Sequence, residues 1–166
     1  ALEMPESVQS QLSGMLSGIP EARWVDPENF HLTLRFIGEV DEPTAEEIAA
    51  ALSRLRMPSF TLVLDGMGYF ESRGRLRALW VGVRPEPALD ALSRKVESTV
   101  VAAGLEAEKR KFKPHVTLAR FSRTPVEAAG PFLAMHAGIR STAFAVESMT
   151  LFESVLGQGA PTYYPE

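Results

Sequence analysis

The chain contains no cysteine. That absence excludes a disulfide scaffold, a thiolate nucleophile and any zinc site built on thiolates. Charge interrupts every apolar run before it reaches the length of a membrane-spanning helix. Ala1–Gly18 lacks the basic-then-apolar order of a signal peptide, so a cytoplasmic protein with no membrane partner is expected. There is no Walker-type loop, and Gly66-Met67-Gly68 is too short for a dinucleotide fingerprint and opens no helix. Neither charge sign dominates: 17 basic and 21 acidic residues leave a net charge of −4. Tight, sequence-independent duplex binding, which needs many phosphate contacts, is therefore not expected. What is present is a chain of 166 residues, 45% apolar, enough for one globular domain and too apolar for a disordered one.

The balanced total hides local basic clusters. Nine of the 17 basic residues fall in two stretches: Arg73, Arg75 and Arg77, then Lys109, Arg110, Lys111, Lys113, Arg120 and Arg123. Such clusters suit either a solvated face or a phosphate-bearing partner.

Apolar spacing predicts helices over Pro5–Leu16, from Asp41 or Glu42 to Pro58, and over Pro87–Ala103 with Gly104 as the C-terminal stop. Arg23–Val25 reads as extended. Strands are expected over Phe30–Ile37, Phe60–Leu64, Ala78–Val83, His115–Phe121 and Phe144–Phe152. Gly66, Gly68, Ser72 and Gly74 read as turns, Gly157-Gln158-Gly159 as another, and Tyr163-Tyr164 as a short terminal strand. Val126–Met135 gives no clear pattern because Gly130-Pro131 interrupts it.

The most informative feature is a repeat. Phe30-His31-Leu32-Thr33-Leu34-Arg35-Phe36 is echoed by Pro114-His115-Val116-Thr117-Leu118-Ala119-Arg120-Phe121, with one extra residue in the second copy. Downstream of each, Met67–Ser72 (MGYFES) is echoed by Met149–Ser154 (MTLFES). Two echoes in the same order at nearly the same offset indicate a duplicated unit of about half the chain.

Side chains at i and i+2 of a strand share a face. His31 and Thr33 therefore point together, as do His115 and Thr117, while Leu32, Leu34, Val116 and Leu118 turn to the core. Two half-chain units packed about a two-fold axis would place two imidazoles and two hydroxyls in one cleft. That set suits in-line displacement at phosphorus. One neutral and one protonated imidazole would act as base and acid. The hydroxyls would bond the non-bridging oxygens, where charge accumulates. Arg120 reaches the same cleft only if the extra residue makes a bulge. Arg35, on the cleft parity without a bulge, is a weaker candidate. His136 has no matching threonine and is assigned no role.

FHLTLRFIGEV and KFKPHVTLAR resemble the paired His-x-Thr signature of the 2H phosphoesterases, in particular the RNA 2′,3′-cyclic phosphodiesterases, or LigT (2′-5′ RNA ligase) family. Gly66–Val83 and Leu151–Tyr164 resemble further segments of that family, so the likeness covers nearly the whole chain. Phe70-Glu71 stands where the family often has Phe-Pro. The family opens with an apolar strand, and Ala1–Pro5 resembles its tail, so most of that strand is expected to lie outside this chain.

The resemblance implies an α+β fold with two pseudo-two-fold-related lobes, antiparallel sheets lining a central cleft and helices outside. Residues 1–166 would form a single bilobal domain with segments exchanged across the cleft. It further implies opening of a 2′,3′-cyclic phosphate on RNA to a 2′-phosphate without metal or cofactor, and in some members reversible 2′-5′ joining. His31 and His115 take the catalytic positions, as acid and base respectively. Thr33, Thr117 and Arg120 take the substrate-phosphate positions. A monomer binding an RNA end, or a nucleotide analogue, is expected.

Other readings remain open at the level of sequence. A metal site lacks ligand spacing around either histidine. A non-catalytic RNA-end binder would use the basic clusters and Tyr69 or Phe70 as stacking surfaces. A phosphodiesterase for a small cyclic phosphate would use the same histidines.

Overall fold

A computed structural model describes residues 1–155 and 162–165. In chain order the elements are β1 (Leu2–Glu3), α1 (Glu6–Ser13), β2 (Arg23–Trp24), a 3₁₀ turn (Pro27–Asn29), β3 (His31–Leu32), α2 (Glu42–Ser53), β4 (Phe60–Leu62), β5 (Leu64–Ser72), β6 (Arg75–Val83), α3 (Pro87–Ala102), β7 (His115–Arg120), a second 3₁₀ turn (Val126–Ala129), α4 (Gly130–Met135), β8 (Phe144–Val146), β9 (Phe152–Val155) and β10 (Thr162–Pro165). The fold is α+β with antiparallel sheets throughout.

The principal sheet has the order β1-β3-β7-β6-β5, and β2 joins β7 beyond the end of β3. β4 pairs with β8, and β9 with β10. One face of the principal sheet is apolar. Leu32, Leu79, Val81, Val116 and Leu118 are fully buried there, in one cluster with Val8 and Leu12 of α1 and Leu89, Leu92 and Val96 of α3. Alternation along the strands sends His31, Trp80, His115 and Thr117 away from that core.

The helices follow their predicted stripes. Asp41 caps α2 by accepting from the Thr44 amide, and Pro43 occupies its first turn. Gly104 takes a left-handed φ of 110° just past α3, the conformation that ends helices most readily. α1 stops at Ser13, short of the expected Leu16, at Gly14.

Four strand expectations need correction. The Phe30–Ile37 strand is paired only over His31–Leu32; beyond it the Arg35 guanidinium bonds Glu97 of α3 and the carbonyls of Phe36 and Glu106. The Phe60–Leu64 strand divides at Val63 into β4 and the start of β5. Gly66 and Gly68 are not turn residues: both lie inside β5, and the turn is confined to Arg73-Gly74. The Phe144–Phe152 strand is two strands, β8 and the first residue of β9, separated by residues 147–151. The ambiguous Val126–Met135 segment resolves into the second 3₁₀ turn and α4. The Gly157-Gln158-Gly159 turn lies outside the described residues, and Tyr163-Tyr164 falls within β10.

Candidate active site

The two His-x-Thr strands are neighbours. β3 and β7 pair antiparallel with Leu32 opposite Val116. Those are the matching residues of the two repeat copies, so a local two-fold axis passes between them. Carrying the register one residue either way sets His31 across from Thr117 and His115 across from Thr33. Directly opposed residues lie about 4.5–5.5 Å apart at Cα. The two His-x-Thr motifs thus lie side by side on one sheet face, with Thr33 just past the end of β3.

Each imidazole is anchored by the same local device. His31 Nδ1 lies 2.7 Å from the Asn29 carbonyl, and His115 Nδ1 lies 2.7 Å from the Lys113 carbonyl. A carbonyl only accepts, so Nδ1 carries the proton and donates it. The anchor therefore leaves Nε2 as the nitrogen that exchanges a proton. For His31, the 3₁₀ turn holds Asn29 in place, with Asp26 accepting from the Glu28 amide.

Both imidazoles are held below their ordinary pKa. For His31 the chief cause is burial, opposed by the Asn29 bond and assisted by Arg120 and His115. For His115 it is again burial, opposed by the Lys113 carbonyl bond and assisted by the Arg120 and Lys113 charges. The Arg120 charge contributes to both shifts.

The reason is the extra residue of the second repeat. Across β6 and β7, Leu79 pairs with Ala119 and Trp80 with Thr117, so Leu118 is a bulge. The bulge restores Arg120 to the face of His115 and Thr117. Arg35, at the corresponding place in the first repeat, does not join them. It is tied to Glu97 and borders a cavity of about 280 Å³ between α2 and α3, lined also by Leu34, Leu52, Val96 and Val100. That partly open space is lined by neither histidine and takes no part in the histidine chemistry.

An aromatic wall completes the site, and only part of it was legible in the sequence. Phe70 meets His115 edge-on at 5.0 Å between ring centres, and Trp80 lies 5.8 Å from the same ring. Lys113 Nζ sits over both, 4.9 Å from the Trp80 ring centre and 5.7 Å from that of Phe70. On the other side Phe152 lies 5.9 Å from His31. Phe70 and Phe152 are the matched phenylalanines of the downstream repeat, so each packs on the histidine of the opposite half. Tyr69 turns to the other face of β5, opposite Leu79, and does not reach the site. His136 stacks on Phe132, far along the chain from either motif. Among the described residues no three His, Cys, Asp or Glu side chains gather as a metal site would need.

The model of the LigT-like phosphoesterases matches this chain twice, over residues 2–80 and 81–163. The chain belongs to that family. The RNA 2′,3′-cyclic phosphodiesterase of Aeropyrum pernix is 38% identical over 149 residues, covering 89% of this chain and 84% of the relative. The Escherichia coli K12 protein of the same description is 31% identical over 169 residues, covering 99% and 90%. Among solved structures, E. coli LigT complexed with 3′-AMP superposes with a TM-score of 0.80 at 29% identity over 100% of this chain and 92% of its own. Protein TT0787 of Thermus thermophilus matches at a TM-score of 0.80 and 26% identity, over 99% and 92%. The family's fold thus extends over the whole of this chain. Among the described residues no helix is long and apolar enough to cross a membrane.

Proposed function

We propose that the protein is an RNA 2′,3′-cyclic phosphodiesterase that opens a terminal cyclic phosphate to a 2′-phosphomonoester. The observation that carries this reading is the pairing of Leu32 with Val116, which opposes the two His-x-Thr motifs about a local two-fold axis. The relatives' shared description as RNA 2′,3′-cyclic phosphodiesterases supports it.

The reaction divides between the two halves of the axis. His115 Nε2 takes a proton from water, whose oxygen attacks phosphorus. The bond from phosphorus to O3′ breaks, and His31 Nε2 gives its proton to that oxygen. The family resemblance supports this direction, and the Lys113 ammonium beside His115 favours the neutral ring a base requires. Arg120 holds the phosphate, which is charged already in the ground state, while Thr33 and Thr117 bond its non-bridging oxygens as their charge grows. The imidazoles and cations supply the charge balance, so no metal ion is required. Attack by the 5′-hydroxyl of a second RNA in place of water, with O3′ again leaving, would form a 2′-5′ bond by the same groups. The protein acts in the cytoplasm as a monomer; both halves of the site come from one chain.

The test is the product. Phosphorus NMR of RNA bearing a 2′,3′-cyclic end, after hydrolysis, is expected to show the 2′-phosphomonoester. A product that is mainly the 3′ isomer would reverse the roles of the two imidazoles, and no turnover would favour a binding module.

A further inference from the structure

Six exposed arginines gather around the C-terminal end of β7: Arg23, Arg73, Arg75, Arg77, Arg120 and Arg123. Arg23 opposes Arg120 across the β2–β7 ladder, which puts both on the face of the histidines. Arg75 donates to the Arg123 carbonyl at 2.8 Å, Arg77 to the Ser122 carbonyl at 3.2 Å, and Arg23 to the Ser122 hydroxyl at 2.7 Å. Three guanidiniums therefore converge on Ser122 and Arg123, just past Phe121 at the end of the motif strand. Among the described residues none of the six lies within ion-pair distance of a carboxylate, a state they share with Arg54, Arg56 and Arg94. Glu71, in the adjoining hairpin, accepts from the Gly74 amide instead. Like charge gathered without counter-charge disfavours the folded chain, and a polyanion laid along it reverses the sign.

We infer that this cluster is a track for the phosphodiester backbone of the nucleotides 5′ of the cyclic end. The inference rests on the function proposed above. A cyclic phosphate is terminal, so the rest of the RNA must leave the cleft on one side. Beside His115 the exit is bounded by Phe70 and Trp80 with Lys113 laid over them. At the other end of β7 the surface is open and positive from Arg120 outward. At about 3.3 Å per strand residue, the stretch from Thr117 to Arg123 spans up to roughly 20 Å, well beyond one nucleotide. Guanidiniums bind phosphate oxygens in pairs and read no base, so the track confers length preference without sequence preference.

The experiment compares kcat/KM for a 2′,3′-cyclic mononucleotide and for a short oligoribonucleotide with the same end, across a salt series. The proteins are the native chain, Arg75→Gln/Arg77→Gln and Arg75→Lys/Arg77→Lys. The oligonucleotide is expected to be preferred at low salt and to lose that preference as salt rises. The Gln pair should make the log–log salt slope shallower by about 1.4, from ~0.7 per single-strand phosphate contact, while mononucleotide turnover is unchanged. The Lys pair, which keeps the charge but not the fork that bonds residues 122 and 123, should keep the steep slope. Equal losses on both substrates, or an unchanged oligonucleotide slope, overturn the track. If the native chain turns over neither substrate, the proposed function fails. Direct binding of an oligonucleotide ending in a 2′-phosphate then tests the track alone: the same change of slope supports it, and its absence overturns it.

Discussion

His31 and His115 reach the same state by the same bond, Nδ1 to the carbonyl two residues upstream. Each should therefore contribute to proton transfer and little to binding. His31→Ala and His115→Ala are each expected to lower kcat by about 10²–10⁴-fold, with binding of a 2′-nucleotide within a modest factor; loss of affinity instead would mark a binding module. Arg120→Ala should mainly raise KM, since Arg120 meets a phosphate already charged in the ground state; an unchanged KM would remove Arg120 from the site. Burial depresses both imidazoles below the ordinary 6.5. Between the unfolded and folded values the unfolded chain binds more protons, so stability rises with pH there. It is lost as pH falls from about 6.5 through the folded values, and levels off below them. Urea unfolding followed across that window should show this slope, and His31→Gln/His115→Gln should flatten it. The bell of kcat/KM should likewise centre on the acid side of 6.5; a centre in the alkaline range would contradict the burial of the pair.

At the scale of elements, the β5–β6 hairpin supplies the wall that steadies His115, and Gly68 is what lets it close. A Cβ at Gly68 would stand 2.2 Å from the Trp80 ring, so only glycine allows the indole to lie across β5. Gly68→Ala is expected to cost about 1–3 kcal/mol and to reduce kcat by displacing Trp80 from His115. Full activity would show that the wall is dispensable. This is also where sequence reading failed: a Gly-x-Gly inside a strand looks like a turn until the indole that covers it is located. β3 was over-extended because FHLTLRFI alternates well past Leu32, while the pull of Glu97 on Arg35 comes from a helix far along the chain. By contrast α1, α2 and α3 were legible, since their apolar stripes are local, whereas Gly130-Pro131 hid α4. So was the bulge at Leu118, which the second repeat announces as one residue too many. The four motif side chains were legible because duplication wrote them twice. Trp80 and Lys113 were not, because nothing in the first repeat mirrors their contact with His115.

At the scale of the molecule, duplication accounts for the two histidines of one chain, which the proposed mechanism divides as acid and base. The two histidines lie on adjacent strands, and each is backed by a phenylalanine from the other half, Phe152 for His31 and Phe70 for His115. Neither half holds a complete site, so the two units work only as a pair. Imidazoles, hydroxyls and cations also supply the whole of the proposed charge balance. Turnover is therefore expected to survive prolonged EDTA treatment; loss on chelation with recovery on added Mn²⁺ or Zn²⁺ would place a metal in the mechanism. The most direct measurement is single-turnover hydrolysis of RNA with a 2′,3′-cyclic end, in EDTA, by the native chain, His31→Ala and His115→Ala. The two-histidine mechanism requires cleavage by the native chain and a loss of about 10²–10⁴-fold in each variant. Cleavage at the native rate by either variant would contradict it.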